Sequence, residues 1–214
     1  MQSATPKQYL TIAGKTILEH TLDSFTEHSA ISGIVVVVSQ QDQQWLELAK
    51  QYPNIKTTEG GAERFQSVLN GLKYLSGFAN NEDWVLVHDA ARPCLRQSDL
   101  DKLISDLSSH EVGGLLGLPM ADTVKRCNDK GQVDETVSRH DLWRALTPQM
   151  FRLNILKQAL EQALADDAVV TDEASAIERM GLQPQIVAGH SDNIKVTRPE
   201  DLELAQIYLA ARNT

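Results

Sequence analysis

Short apolar runs alternate along this chain with longer stretches in which apolar side chains recur every three or four residues. The runs at 33–39, 55–58, 84–88, 113–118, 185–188 and 194–196 predict strands; most are rich in β-branched residues, Val35-Val36-Val37-Val38 above all, with turn-forming flanks. Between them, 16–28, 42–51, 63–75, 98–108, 151–165, 171–180 and 199–211 predict helices. The first opens with a capping-box pattern, Thr16 and Glu19, and sets Ile17, Leu18, Leu22 and Phe25 near one face. Gly181 is placed to end the sixth. Pro199 suits the first turn of the seventh, and Glu200 and Asp201 complement its positive end. Such alternation buries a mostly parallel sheet between two helical layers, so the expected class is α/β.

One segment breaks the pattern. Within 120–139, Thr123-Val124-Lys125-Arg126 and Gln132-Val133-Asp134-Glu135 flank Asn128-Asp129-Lys130-Gly131, which reads as a polar hairpin. An arm of that kind buries too little apolar surface to stand alone and should lie on something else. No repeat, low-complexity tract or linker marks a boundary, and 214 residues with 42% hydrophobic content suffice for the core of one domain over 1–214.

Charge narrows the partners. Twenty basic and 29 acidic side chains leave −9, which repels nucleic acid and anionic lipid but permits a small anionic substrate at a local basic cluster. The longest aliphatic run, 34–38, is far too short to cross a bilayer, and the first twenty residues carry no secretory-signal stretch. Cys94 and Cys127 have neither metal-ligand nor disulfide-framework spacing and read as reduced thiols. The six histidines are too scattered for a ligand cluster, and no Ser-His-Asp or Cys-His set suggests a covalent intermediate.

Several residues are placed for chemistry. Asp89 ends a buried-looking strand, where open α/β sheets bind ligands, and could hold Mg²⁺, with Arg92 on a phosphate; the same pair also reads as fixing a turn before Pro93. Gly60-Gly61, with Ser67 in the helix that follows, lets a flat base approach backbone groups, although a glycine turn before a helix is common for structural reasons alone. Lys7, Arg139 and Lys195, taken singly, read as solvated surface cations.

Four motifs in fixed order change that balance: Pro6-Lys7-Gln8-Tyr9, Gly60-Gly61-Ala62-Glu63-Arg64-Phe65-Gln66-Ser67-Val68, His88-Asp89-Ala90-Ala91-Arg92-Pro93 and Asn193-Ile194-Lys195-Val196-Thr197-Arg198-Pro199-Glu200-Asp201. With Asp122-Thr123, Leu142-Trp143 and Thr171-Asp172-Glu173-Ala174 between them, the chain resembles the 2-C-methyl-D-erythritol 4-phosphate cytidylyltransferases of isoprenoid biosynthesis. The resemblance implies a Rossmann-like nucleotidyltransferase sheet, Mg²⁺, and transfer of CMP from CTP to 2-C-methyl-D-erythritol 4-phosphate. It further implies that Lys7 stabilises charge at the α-phosphate and that Gly61 and Ser67 recognise cytosine. Asp89 and Arg92 would hold metal and phosphate, with Asp192 a weaker second candidate at the metal. Arg139, Lys195 and Thr123 would hold the methylerythritol phosphate, Arg139 acting across a homodimer joined through the arm.

Such members begin with a strand and a Gly-rich, Arg-containing loop, whereas Met1 here lies six residues before Lys7. The expectation is that both precede Met1 in the intact protein, and that without the strand its neighbours carry unpaired backbone groups. A cytoplasmic, bacterial protein is the expected setting, with a plastid one kept open by the absent start. Two other readings stand beside the first: a cytidylyltransferase for ribitol 5-phosphate, and a CTP-binding protein that has lost catalysis.

Overall fold

A computed structural model describes residues 6–212. After a single 3-10 turn at Lys7–Tyr9, its elements run β1 (Thr11–Ile12), β2 (Lys15–Thr16), α1 (Ile17–Thr26), β3 (Val35–Val38), α2 (Gln43–Leu48), β4 (Lys56–Glu59), α3 (Arg64–Leu75), β5 (Trp84–Val87) and α4 (Gln97–Leu107). There follow β6 (Gly113–Pro119), β7 (Val124–Cys127), β8 (Val133–Val137), β9 (Trp143–Arg152), α5 (Leu153–Ala165), α6 (Glu173–Arg179), β10 (Gln185–Ala188) and α7 (Pro199–Arg212). The α/β expectation holds. The main sheet has the order β10-β6-β9-β5, and β3 pairs with β4 in a separate parallel ribbon. In the main sheet β10 runs parallel to β6, while β9 is antiparallel to both its neighbours, which makes the sheet mixed.

Alternation along the strands explains the two helical layers. Leu115 and Phe151 point into a cluster with Leu69 and Leu72 of α3, Leu156 and Leu160 of α5 and Ile177 of α6. Their neighbours Leu116 and Met150 point the other way, onto Phe25 of α1 and Leu100, Leu103 and Leu107 of α4. Leu100, Leu103 and Leu107 recur at three- and four-residue spacing and are fully buried, each worth about 2 kcal/mol in apolar transfer. At the start of α1 both reciprocal bonds of the capping box form, Glu19 N to Thr16 Oγ1 at 3.1 Å and Thr16 N to Glu19 Oε2 at 2.6 Å.

Two sequence expectations need correction. The strands expected from the sequence do not include 143–152. The structure forms β9 there and puts Pro148 at a bulge: the register with β6 jumps from Leu115↔Gln149 to Gly117↔Ala145, and pairing with β5 stops at Gln149. Conversely, 194–196 is no strand. Ile194 N turns back to Asp192 O at 2.7 Å, and only Val196 N reaches out, to Ala91 O at 2.8 Å.

The predicted hairpin is present as β7 and β8, turning at Asn128, whose Oδ1 accepts from the backbone N–H of Lys130 and Gln132. Gly131 supplies the positive φ of 75° that the turn requires. The arm is almost wholly exposed, with only Val124 and Val137 half-buried along its strands.

Strand directions bring the chemistry to one edge. Because β5, β6 and β10 run parallel, the segment bearing Asp89 and Arg92, the arm and the segment 189–198 all leave the same end of the main sheet. β3 and β5 each end a pairing order, and their residues are only half-buried despite reading as core runs. Among the described residues no helix is long and apolar enough to cross a membrane. Cys94 and Cys127 are free, and burial pushes the Cys94 thiol up to about 11.

Candidate active site

Asp89 sits just beyond β5 with three cations on its carboxylate. Arg64 reaches Oδ1 at 3.2 Å, while Arg92 Nε and Lys195 Nζ reach Oδ2 at 3.2 and 3.0 Å. Burial works against the charge on Asp89, but Arg64, Lys195 and Arg92 outweigh it and hold the carboxyl far below the usual range. Arg92 is itself fixed, donating from Nη1 to Asn193 O at 2.8 Å. Asn193 in turn donates to Thr147 O at 2.8 Å, tying the segment after β10 to β9.

His88 braces the same corner. Its Nε2 lies 3.1 Å from Arg92 O and its Nδ1 3.0 Å from Thr147 Oγ1. A carbonyl can only accept, so the network assigns the proton to Nε2; Nδ1 then accepts from Thr147, whose oxygen accepts from Asp89 N at 3.2 Å. Although a little of the residue is still exposed, the ring packs edge-on against Phe25 and both nitrogens are engaged. Desolvation lowers its pKa to about 4, which keeps the imidazole neutral.

The Gly60-Gly61 loop follows β4 and leads into α3. Gly61 N donates to Ser67 Oγ at 3.0 Å, and a Cβ at Gly61 would come within 2.5 Å of Gln66 Cβ, so only glycine keeps this approach open. With Val38 at the end of β3 and Ser39 just beyond it, Gly60, Gly61, Ala62 and Ser67 line a cleft of about 620 Å³. It opens at the carboxyl ends of β3 and β4, where open α/β sheets take their ligands.

The remaining predicted residues are placed as follows. Lys7 lies in the first 3-10 turn, half-buried, with no side-chain partner among the described residues. Thr123 and Arg139 are exposed at the base of the arm, where Arg139 Nη1 donates to Ala121 O. No bond among the described residues joins either to the Asp89 cluster. Asp192 Oδ2 is taken by Arg96 Nε at 2.8 Å and Arg212 Nη2 at 3.0 Å, and its Oδ1 is buried with no partner among the described residues.

Sequence reasoning overlooked Arg64, Glu173 and Thr147. Arg64 donates a fork to Glu173, Nη1 to Oε1 at 2.7 Å and Nη2 to Oε2 at 3.1 Å, and the Glu173 side chain is 1% exposed. Burial pushes the Glu173 carboxyl up and the fork opposes it. Both residues lie inside segments that carry the family resemblance; the available signal was a cation and an acid there with no assigned partner.

The donor set suits a cation that brings oxygen ligands of its own. Asp89 supplies one ionised carboxylate, and among the described residues no group of three or more His, Cys, Asp or Glu could hold a metal unaided. Mg²⁺ commonly binds through one or two carboxylates plus phosphate oxygens.

The sequence model of the family described as "IspD: 2-C-methyl-D-erythritol 4-phosphate cytidylyltransferase" matches residues 1–211. The chain belongs to this family. The enzyme of that name from Vibrio vulnificus (strain CMCP6) is 53% identical over 211 residues, covering 98% of this chain and 89% of the relative. The one from Pseudomonas putida (strain GB-1) is 55% identical over 215 residues, covering 99% and 91%. Among solved structures, a 4-diphosphocytidyl-2C-methyl-D-erythritol synthase superposes with a TM-score of 0.88 at 40% identity, covering 95% of this chain and 94% of the other. The cytidylyltransferase from Francisella tularensis gives 0.85 at 36% identity, covering 95% and 93%. The family is one of nucleotidyltransferases, so the cationic cluster and the adjoining cleft belong to a cytidylyltransferase-family fold.

Proposed function

We infer that this chain transfers CMP from CTP to 2-C-methyl-D-erythritol 4-phosphate, giving 4-diphosphocytidyl-2-C-methyl-D-erythritol and pyrophosphate in isoprenoid precursor biosynthesis. The observation that carries the reading is the gathering of Arg64, Arg92 and Lys195 around one ionised carboxylate beside a cleft that only glycine at 61 keeps open. With Glu173 counted, three cations face two carboxylates, a net positive corner suited to phosphate.

The attacking group is a phosphate oxygen that is already ionised, so the reaction needs no strong base. The obstacle is bringing two polyanions together in line, and positioned cations lower it. Lys7 meets charge developing on the α-phosphate, Gly61 and Ser67 present polar groups to cytosine, and Arg92 and Lys195 turn to substrate phosphate. Buried partners matched to the cytosine amino group penalise uracil, which offers a carbonyl there. Asp89, together with the nucleotide phosphates, would hold Mg²⁺, and the bound ion would supply charge neutralisation. Thr123 and Arg139, which do not reach the Asp89 cluster within one chain, complete the acceptor site of a second subunit in a homodimer. The whole chain acts as one domain in the cytoplasm, without nucleic-acid or membrane partners. Pyrophosphate release tests this: CTP with methylerythritol phosphate and Mg²⁺ should release it, UTP far more slowly, and release from UTP at an equal rate would overturn the assignment of the cleft.

A further inference from the structure

The Arg64–Glu173 pair is not explained by stability. A buried ion pair contributes little net stability compared with apolar residues of the same volume, although removing one partner alone is harmful. Yet the fold builds it rigidly. Glu173 is the first residue of α6, and Gln149, itself buried on β9, pins that helix start by accepting from Ala174 N at 2.8 Å and donating to Asp172 Oδ2 at 2.9 Å. Arg64 is the first residue of α3, directly after the loop bearing Gly61, and meets Glu173 and Asp89 at once.

The two contacts are unequal. Glu173 takes the terminal nitrogens one on each oxygen, the nearer at 2.7 Å, whereas Asp89 offers only Oδ1, which Nε and Nη2 share at 3.2 Å. Lys195, by contrast, has Asp89 as its only side-chain partner among the described residues.

We propose that Glu173 is a positioning residue for the transfer reaction: it holds Arg64 in a fork, so that Arg64 orients Asp89 without neutralising it. This rests on the reading of the site as a CTP-dependent cytidylyltransferase. Without the charge on Glu173, the guanidinium turns fully to Asp89 or to a bound triphosphate. Either movement spoils the reacting geometry while leaving a cation free to hold ground-state nucleotide.

The test is a mutant cycle of Glu173→Gln, Arg64→Gln and the double variant, read by turnover with CTP and methylerythritol phosphate, by equilibrium CTP titration and by thermal melting. Glu173→Gln should lower kcat about tenfold with the Kd for CTP unchanged or tighter, and should have no further effect once Arg64 is glutamine. Parallel losses in kcat and CTP affinity, or an equal effect of Glu173→Gln in both backgrounds, would overturn it. If Glu173→Gln does not fold, Arg64→Lys asks the same question, since lysine keeps the charge and loses the fork; unchanged kcat there would also overturn it. A wild type silent on every acceptor strikes the reading of the site and takes this inference with it. An active wild type with an equally active Glu173→Gln strikes this inference alone.

Discussion

His88 gives a pH dependence that can be worked from the structure. The unfolded chain protonates this imidazole below its ordinary value of 6.5 and the folded one only below about 4. Between those values unfolding takes up a proton, so stability falls as pH falls. The contribution is intact above 6.5, begins to be lost as pH drops through 6.5, and is gone near 4. At about 1.4 kcal/mol for each pH unit separating the two values, the total is up to about 3.5 kcal/mol, an upper end because the residue keeps slight exposure. Urea denaturation at steps from about pH 7.5 to about pH 4.5 measures it, with His88→Gln as the reference. The variant retains a donor for Arg92 O and loses the titration, so its stability should fall less steeply than that of the wild type. The difference in slope should approach about 1.4 kcal/mol per pH unit. Parallel curves would refute the argument, because they would mean that His88 carries its proton equally in both states.

Other consequences follow from single sites. Leu103→Ala, in the fully buried row of α4, should cost about 2–5 kcal/mol in denaturant unfolding. Gly61→Ala should weaken CTP binding at least about tenfold in equilibrium titration, because its Cβ falls 2.5 Å from Gln66 Cβ and moves the Ser67 loop. Lys7→Ala should lower kcat more than CTP affinity, and an equal loss in both would contradict its role on the α-phosphate. Asp89→Asn should abolish turnover and cost about 2 kcal/mol in stability, discounted because Arg64 and Lys195 remain partly solvated.

The parts of this fold that were legible in sequence are those decided by neighbours along the chain. Thr16 and Glu19 announced α1 because a capping box is a four-residue device, and Asn128 to Gly131 announced the arm because its turn is closed by its own side chains. β9 was hidden because Pro148 forbids a regular strand, and only the register with β6 shows that a bulge absorbs it. Asp89 and Arg92 could be found from strand position and motif. Arg64 could not be placed from local rules, since an arginine opening a helix after two glycines reads as solvated until a buried carboxylate from residue 173 is brought against it. Glu173 likewise reads as an acid favouring its helix dipole. Distant pairs such as these depend on topology, and the motifs alone do not say which residues meet.

The most direct test of the central claim is to identify the product. The protein is incubated with CTP and Mg²⁺ together with either methylerythritol phosphate or ribitol 5-phosphate, and the outcome is read by mass and by phosphorus NMR. A cytidine diphosphate ester of methylerythritol, formed with one pyrophosphate per ester and with no ribitol product, is the predicted result. An ester of ribitol alone, or CTP bound without any new diphosphate, would contradict it.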